Sequence, residues 1–304
     1  MEKQRQKLYA EIASKVGNTP LVPYLGMMPD FNDNGNCIWI KRECDNPFGS
    51  HYDRVYISLF RDLEEHGDLK PGMNVLETSS GSAGVSFAGI GKLLGYNCYV
   101  MIPDDTIKQK RIEAIKAQGG TIIPTPSDED IFGFTKKRIV ENIKKYHAKF
   151  LNHSMGYKGS NNDITLRSLE SIALEVLKAR TDFDIFVAGI GNGSSIVGPG
   201  RIFRKNNPDI QIIGYMPKKV GKSQYPGLMN QNGINHPIDF PHIKEAQKLM
   251  NRVEFVDDLD IPFYHRDLGK TSQAGIRVAL DLARQVQEKY ILVIGYDKSE
   301  RYCE

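Results

Sequence analysis

The chain has 304 residues, of which 40% are hydrophobic and 25% charged, a composition typical of a soluble globular protein with a sizeable core. Its 40 basic and 37 acidic residues leave a net charge of +3, which argues against a nucleic-acid partner. No stretch approaches the ~18 apolar residues of a membrane span, and the polar N-terminus does not resemble a signal peptide, so we expect no membrane partner and a cytoplasmic location.

Apolar runs of strand length alternate along the chain with segments of helical period. The predicted strands are 37–41, 74–76, 98–102, 121–123, 184–188, 210–215 and 290–294. The predicted helices are 53–65, 83–94, 107–118, 131–147, 163–179, 194–205 and 272–288. This alternation predicts an α/β fold of mostly parallel sheets flanked by helices.

Other features of the chain favour structural interpretations. The basic residues of 136–138 and 144–145 keep helical spacing and are predicted to form the solvated face of a helix. Four scattered cysteines form no CxxC pair, which fits a reducing compartment and predicts no metal site. The segment 217–241 is long, lacks periodicity and is predicted to be a functional loop or flap.

Three turns that lead into helices, at 46–54, 77–84 and 189–195, are unusually rich in Gly and Ser. Glycine lets a backbone approach a ligand closely, and the first amides of a helix carry partial positive charge. Serine hydroxyls add further donors. Each turn is therefore a candidate cradle for a phosphate or carboxylate group.

In order and context these turns resemble the cysteine synthase family of pyridoxal phosphate (PLP) enzymes, a fold type II group of the tryptophan synthase beta-like superfamily. The motifs that carry the resemblance lie at 16–22, 41–54, 77–84, 191–195 and 297–302. It implies a smaller α/β domain over 45–150 and a larger domain of 1–44 plus 151–304. It also implies PLP in the cleft between these domains and a homodimer.

The resemblance further implies a set of site residues. Those expected to bind the cofactor are Ser82, Gly191, Asn192, Gly193, Ser194, Ser195 and Lys298. Those expected to hold the carboxylate of a small amino-acid substrate are Ser79, Ser80, Gly81 and Ala83.

One departure from the family bears directly on chemistry. Tyr52 occupies the position of the lysine that forms a Schiff base with PLP and takes the Cα proton, and a phenol cannot form that bond. Tyr52 is an engineered change, the mark of a natural relative with different chemistry, or the mark of a pseudoenzyme. Because Ser82, Ala83, Ser194 and Lys298 also depart from the pattern, we favour the natural relative.

The role of Tyr52 stays open between core packing and direct catalysis. Lys41 and Lys270 are the fallback amines, although no motif supports either. His51 is a candidate proton shuttle, but an exposed histidine at a helix start is the favoured interpretation. Cys44 is predicted to be a buried, small hydrophobic residue.

Two hypotheses about function follow. The first is a PLP-dependent lyase or transferase of the cysteine synthase or serine dehydratase type. It would act on a small amino acid by β-elimination or β-replacement, with chemistry altered by the loss of the lysine. The alternative is a non-catalytic pseudoenzyme that binds PLP, an amino acid or another phosphorylated ligand for sensing or regulation.

Overall fold

A computed structural model of the chain describes residues 2–25, 34–79, 81–103, 109–126, 136–154, 160–218, 228, 241–256 and 267–301. The helices are α1 (Lys3–Ala13), α2 (Tyr52–Glu65), α3 (Ser82–Leu93), α4 (Gln109–Ala117), α5 (Lys136–Tyr146), α6 (Ser160–Ala179), α7 (Ser194–Asn206), α8 (Pro241–Leu249) and α9 (Lys270–Ala283). The strands are β1 (Leu21–Pro23), β2 (Cys37–Lys41), β3 (Asn74–Thr78), β4 (Asn97–Pro103), β5 (Thr121–Thr125), β6 (Lys149–Phe150), β7 (Ile185–Gly189), β8 (Gln211–Pro217), β9 (Arg252–Val256) and β10 (Tyr290–Ile294).

The strands form two sheets. The larger has the order β1-β2-β10-β7-β8-β9, and the smaller has the order β5-β4-β3-β6. All neighbouring strands are parallel except β1, which pairs antiparallel with β2. The predicted α/β class with mostly parallel sheets is confirmed, because helices connect successive parallel strands as such sheets require.

The chain divides into two compact units. One comprises 1–17, 46–165 and 301–304 and contains the smaller sheet, and the other comprises 18–45 and 166–300 and contains the larger. The division predicted from sequence stays a prediction. This grouping differs from it mainly by placing residues 1–17, 151–165 and 301–304 with the smaller sheet.

Most predicted elements are present, with shifted ends. The prediction omitted α1, α8, β1, β6 and β9. The predicted loop over 217–241 falls between β8 and α8, where only Lys218 and Leu228 are described besides the two flanking prolines. No helix in the described ranges has the length and apolar character needed to cross a membrane.

Helix α5 shows how the smaller sheet is covered. Ile139 and Ile143 pack with Tyr146 against a core that includes Leu76 and Met101. Lys137, Lys144 and Lys145 are exposed on the same helix. For these residues, the prediction that the basic cluster is a solvated helix face is confirmed.

Helix α1 is held to α2 by hydrogen bonds that several donors make to a single carboxylate, that of Glu64. Glu64 accepts hydrogen bonds from Arg5 Nε at 2.8 Å and Nη2 at 2.5 Å, and from the hydroxyls of Tyr9 and Tyr96 at 2.7 and 2.6 Å. Burial alone would raise the pKa of Glu64. The hydrogen bonds from Arg5, Tyr96 and Tyr9 outweigh it, so the pKa lies below its usual value.

We expect Glu64→Gln to lower the free energy of unfolding at pH 7 by about 2 kcal/mol, because charge-assisted hydrogen bonds are lost. The pKa of Glu64 is lower in the folded protein than in the unfolded chain. This stabilisation is therefore fully present above the unfolded-state pKa of Glu64, and it is lost as the pH falls through the folded-state pKa. Urea unfolding at pH 7 and in acid measures both effects. Glu65→Gln, an exposed change on the same helix, is the control. A Glu64→Gln deficit that persists undiminished in acid would contradict this prediction.

Candidate functional site

Tyr52 is the first residue of α2, directly after the turn at 46–51. The Asp53 carboxylate accepts the amide of Phe48 at 2.7 Å, and Ser50 Oγ accepts the amide of Tyr52 at 3.2 Å. Gly49 takes the left-handed φ of +74° that the turn needs. These bonds fix the backbone that carries the Tyr52 side chain.

The Tyr52 ring lies against other ionisable rings. Its centroid is 4.1 Å from that of His51, 5.2 Å from that of His153 at an interplanar angle of 86°, and 6.4 Å from that of Tyr56. Tyr56 is fully buried, whereas Tyr52 keeps part of its surface exposed. Tyr52 is therefore not enclosed in the core of its unit, and two imidazoles contact it.

The expectation that His51 is exposed at a helix start is wrong. Its side chain is buried, with 7% relative exposure. The physical reason is the contact of its ring with the tilted ring of Tyr52, which covers part of the His51 surface.

His153 has polar partners at both of its ring nitrogens. Nδ1 lies 3.0 Å from the hydroxyl of Tyr56 and 3.1 Å from Oε2 of Glu77. Nε2 lies 3.1 Å from Oγ of Ser154. This arrangement brings a buried carboxylate to an imidazole next to Tyr52.

No sequence motif indicated a role for Glu77, for Tyr56 or for the Glu77–His153 pair. Glu77 is in β3, and His153 follows β6, the parallel neighbour of β3. The carboxyl ends of parallel neighbours lie together, so the pairing of β3 with β6 would have been the signal. The short β6 was itself missed.

The turn at 79–84 is held largely by Ser79. Its Oγ accepts the amides of Gly81 at 2.9 Å and Gly84 at 2.7 Å, so the hydroxyl caps the start of α3. Gly81 has φ +153°, and a Cβ there would lie 2.3 Å from Cδ of the buried Arg111. No side chain larger than hydrogen fits at Gly81 unless Arg111 moves.

The predicted substrate-binding roles in this turn stay predictions. Ala83 is buried and Ser82 is partly exposed. Ser80, the hydroxyl expected to contact a carboxylate, lies outside the described residues.

The turn at 189–195 joins β7 to α7 in the other unit. Gly193 has φ +92°, and Asn192 Oδ1 accepts the amide of Ser194 at 3.0 Å and its hydroxyl at 2.7 Å. Ser195 Oγ donates to the Gly189 carbonyl at 3.3 Å. Within the described part of the chain, the amides of 191–193 and 195 donate to no acceptor. These four amides form a donor set suited to an anion.

Tyr296 supports the base of this turn. Its hydroxyl accepts the amide of Gly189 at 3.0 Å, and burial raises the pKa of the phenol to about 12. The phenol therefore stays protonated at neutral pH.

The fallback amines differ in their surroundings. Lys41 is buried, and its Nζ donates to the Thr19 carbonyl at 2.5 Å and to Glu175 at 2.6 Å. Lys41 is therefore excluded as an amine free to react. Lys270 and Lys298 are partly exposed.

The prediction for Cys44 is confirmed. The residue is fully buried, and burial raises the pKa of its thiol to about 12. Among the residues that the structure describes, no three His, Cys, Asp or Glu side chains are grouped to hold a metal ion.

Comparison with known proteins adds family information. Residues 12–294 match the family model described as "Pyridoxal-phosphate dependent enzyme". The cysteine synthase of Aquifex aeolicus is 30% identical over 98% of this chain and 91% of its own length. Cysteine synthase B of Escherichia coli is 26% identical over 94% of this chain and 92% of its own.

Among solved structures, a hydrogen sulfide-producing enzyme from Fusobacterium nucleatum superposes with a TM-score of 0.83. It is 23% identical, and the match covers 96% of this chain and 99% of that one. At this identity the match establishes the fold.

Proposed function

Because this chain belongs to the pyridoxal-phosphate dependent enzymes, as a fold type II member of the cysteine synthase family whose cofactor is pyridoxal 5'-phosphate, we propose that it acts on a small amino acid by β-elimination or β-replacement. The proposal includes an altered way of holding the cofactor. Tyr52 offers no amine, so PLP is held without a covalent bond to the chain or enters as an adduct with the amino acid.

The turn at 189–195 fits the phosphate group of PLP. The amides of 191–193 and 195 are donors without an acceptor in the described residues, which is the chemistry a phosphate requires. In this proposal Ser195 adds a hydroxyl donor, and Ser82 and Lys298 contact the ring. When bound, PLP supplies an electron sink for the charge that forms as an amino acid loses its Cα proton.

The observation that supports a catalytic function is the pair of histidine rings in contact with Tyr52. The residue begins α2 where the family has its lysine, and the rings of His51 and His153 lie against it. Phenol and imidazole groups can accept and donate protons. Proton transfer is the function of the family's lysine that needs no covalent bond to PLP.

The test is the absorbance spectrum of the purified chain with PLP, before and after a small amino acid is added. We expect an absorbance band of bound PLP, and we expect that borohydride does not attach this PLP covalently to the protein. We also expect the spectrum to change when the amino acid binds. Release of a keto acid or of a β-substituted amino acid would establish turnover. A chain that leaves PLP unbound would overturn the proposal.

The second candidate is a non-catalytic sensor of PLP, an amino acid or another phosphorylated ligand. It is favoured by the same loss of the amine at Tyr52, and by the hydrogen bond from Lys41 to Glu175, which keeps the Lys41 amine from replacing it. Ligand-dependent spectral change without any product would select this candidate.

We expect Ser195→Ala to weaken PLP binding about fivefold, the equivalent of ~1 kcal/mol for one hydrogen bond. Fluorescence titration with PLP measures the change, with the exposed Ser14→Ala as control. If the affinity for PLP is unchanged, the Ser195 hydroxyl does not bind PLP, and its contact is the one with the Gly189 carbonyl. Gly193 is unsuitable for this test, because a Cβ would lie 2.8 Å from the backbone oxygen of His242.

We further propose a homodimer and a cytoplasmic location, as in the family that the chain resembles. Light scattering of the purified protein at several concentrations tests the oligomeric state. A mass of one chain at every concentration would contradict the dimer.

A further inference from the structure

Three ionisable groups meet inside the unit that contains Tyr52, and the proposed function uses only one of them, His153. The hydroxyl of Tyr56 and Oε2 of Glu77 lie 3.0 and 3.1 Å from Nδ1 of His153. Tyr56 and Glu77 are fully buried, and His153 is 5% exposed. A buried cluster of this kind must satisfy its donors and acceptors internally.

The proton positions in this cluster follow from its chemistry. Burial, followed by the negative charge of Glu77, raises the pKa of Tyr56 well above its usual value, so this phenol keeps its proton. Nδ1 makes its hydrogen bond with the Tyr56 hydroxyl, which also hydrogen-bonds Glu77. A phenol has one proton and a carboxylate can only accept, so Tyr56 donates to Glu77 and its oxygen accepts from Nδ1. Nδ1 of His153 is therefore the protonated nitrogen, and Nε2 carries the lone pair.

The lone pair of Nε2 has a defined neighbour. Ser154 Oγ lies 3.1 Å from Nε2, and Ser154 is partly exposed. The hydroxyl can give its proton to Nε2 while its oxygen takes another proton from a reacting group. The positive charge then on the imidazole is offset by Glu77, and the reverse step restores the starting state.

Glu77 itself is held in place by the backbone. Its Oε1 accepts the amide of Thr78 at 2.7 Å, and its Oε2 accepts the amide of His153 at 3.1 Å. The Thr165 hydroxyl donates to the carbonyl of His153 at 3.1 Å. The carboxylate and the imidazole are thus fixed relative to each other.

We infer that His153 is the proton-carrying residue of the site, working through Ser154 at Nε2, with Glu77 and Tyr56 as positioning residues. The inference rests on the proposed function. The lysine of the family combines covalent attachment with proton transfer, and here the proton transfer falls to an imidazole whose ring is 5.2 Å from that of Tyr52. Within the described part of the chain, the ionisable groups that contact the imidazole are Tyr52 and Tyr56 from α2 and Glu77 from β3.

The first experiment is nitrogen NMR of the full chain labelled with ¹⁵N-histidine, without PLP. The signals of His153 are those lost in His153→Gln. We expect the neutral ring to be protonated at Nδ1, and we expect Tyr56→Phe to keep this tautomer because Oε2 of Glu77, 3.1 Å from Nδ1, can then accept its hydrogen bond. A ring protonated at Nε2, or a tautomer that reverses in Tyr56→Phe, would overturn the assignment.

The second experiment measures exchange of the amino acid's Cα hydrogen in D₂O with PLP present. We expect His153→Gln to slow exchange about 10²- to 10⁴-fold, the usual contribution of a general acid–base group, with little change in PLP affinity. Ser154→Ala should slow it as well. His66→Gln, the same change at an exposed histidine that follows the C-terminal end of α2, is the control.

The two experiments separate this inference from the proposed function. Wild-type rates in a folded His153→Gln variant would overturn the inference and leave the proposed function standing. A wild-type chain that binds no PLP would overturn the proposed function, and with it the role of His153, while the NMR experiment would still decide the tautomer. Thermal unfolding of each variant identifies any that fail to fold, in which case Ser154→Ala decides the exchange experiment.

Discussion

We expect Tyr52→Lys to bind PLP covalently, whereas the unaltered chain does not. The introduced amine would begin α2, at the position that we interpret from the sequence motif as that of the family's lysine. Its nitrogen can attack the aldehyde carbon of PLP with loss of one water molecule, a reaction that a phenol cannot complete. The measurement is a new absorbance band at longer wavelength that disappears on borohydride reduction, with the label located by peptide mass spectrometry.

The control for this experiment is Tyr52→Met, which also replaces the ring with a flexible chain but carries no amine. A reducible bond in the unaltered protein would contradict the prediction. Lys270 and Lys298 would then be the lysines to examine, because Lys41 is buried and bonded to Glu175.

We expect Lys41→Met to lower the free energy of unfolding by about 3–5 kcal/mol, because removal of one partner leaves a buried charge uncompensated. The Lys41 side chain is 2% exposed and that of its partner Glu175 is 15% exposed, with 2.6 Å between Nζ and the carboxylate. Glu43, fully buried, lies 3.9 Å from the same ammonium group. Denaturant unfolding measures the loss.

Lys289→Met is the matched control for this change. Lys289 precedes β10 and pairs with Asp184 at 3.0 Å, but both side chains are substantially exposed, so we expect a loss of at most about 1 kcal/mol. A second variant, Lys41→Met with Glu175→Leu, should recover part of the stability because it removes the carboxylate that has lost its ammonium partner. Equal stability of Lys41→Met and the unaltered chain would contradict the prediction.

The larger elements of this fold could be predicted from sequence because their patterns are local. Strands β2 and β10 were predicted to the residue, since each is an uninterrupted run of strand-forming residues. Strand β6 could not be predicted in the same way. It has two residues and exists through its pairing with Val75 and Leu76 of β3.

The same limit applies to the candidate site. The Gly- and Ser-rich turns are visible in the sequence, and so is the motif from which a substitution at Tyr52 is predicted, because turn chemistry and motif order are local. The partners of Lys41 and of His153 are not, because Glu175 and Glu77 lie 134 and 76 residues away along the chain. Burial of His51 likewise depends on a ring contact that no pattern of residue types indicates.

The self-capped turn at 189–195 has a consequence for the thermodynamics of ligand binding. Asn192 already holds the Ser194 amide, and Gly193 lies so close to the backbone of His242 that no Cβ would fit. The turn therefore loses little conformational entropy when an anion binds. Such preorganisation leaves more of the interaction free energy for affinity. A calorimetric titration with inorganic phosphate should accordingly show a small entropic penalty.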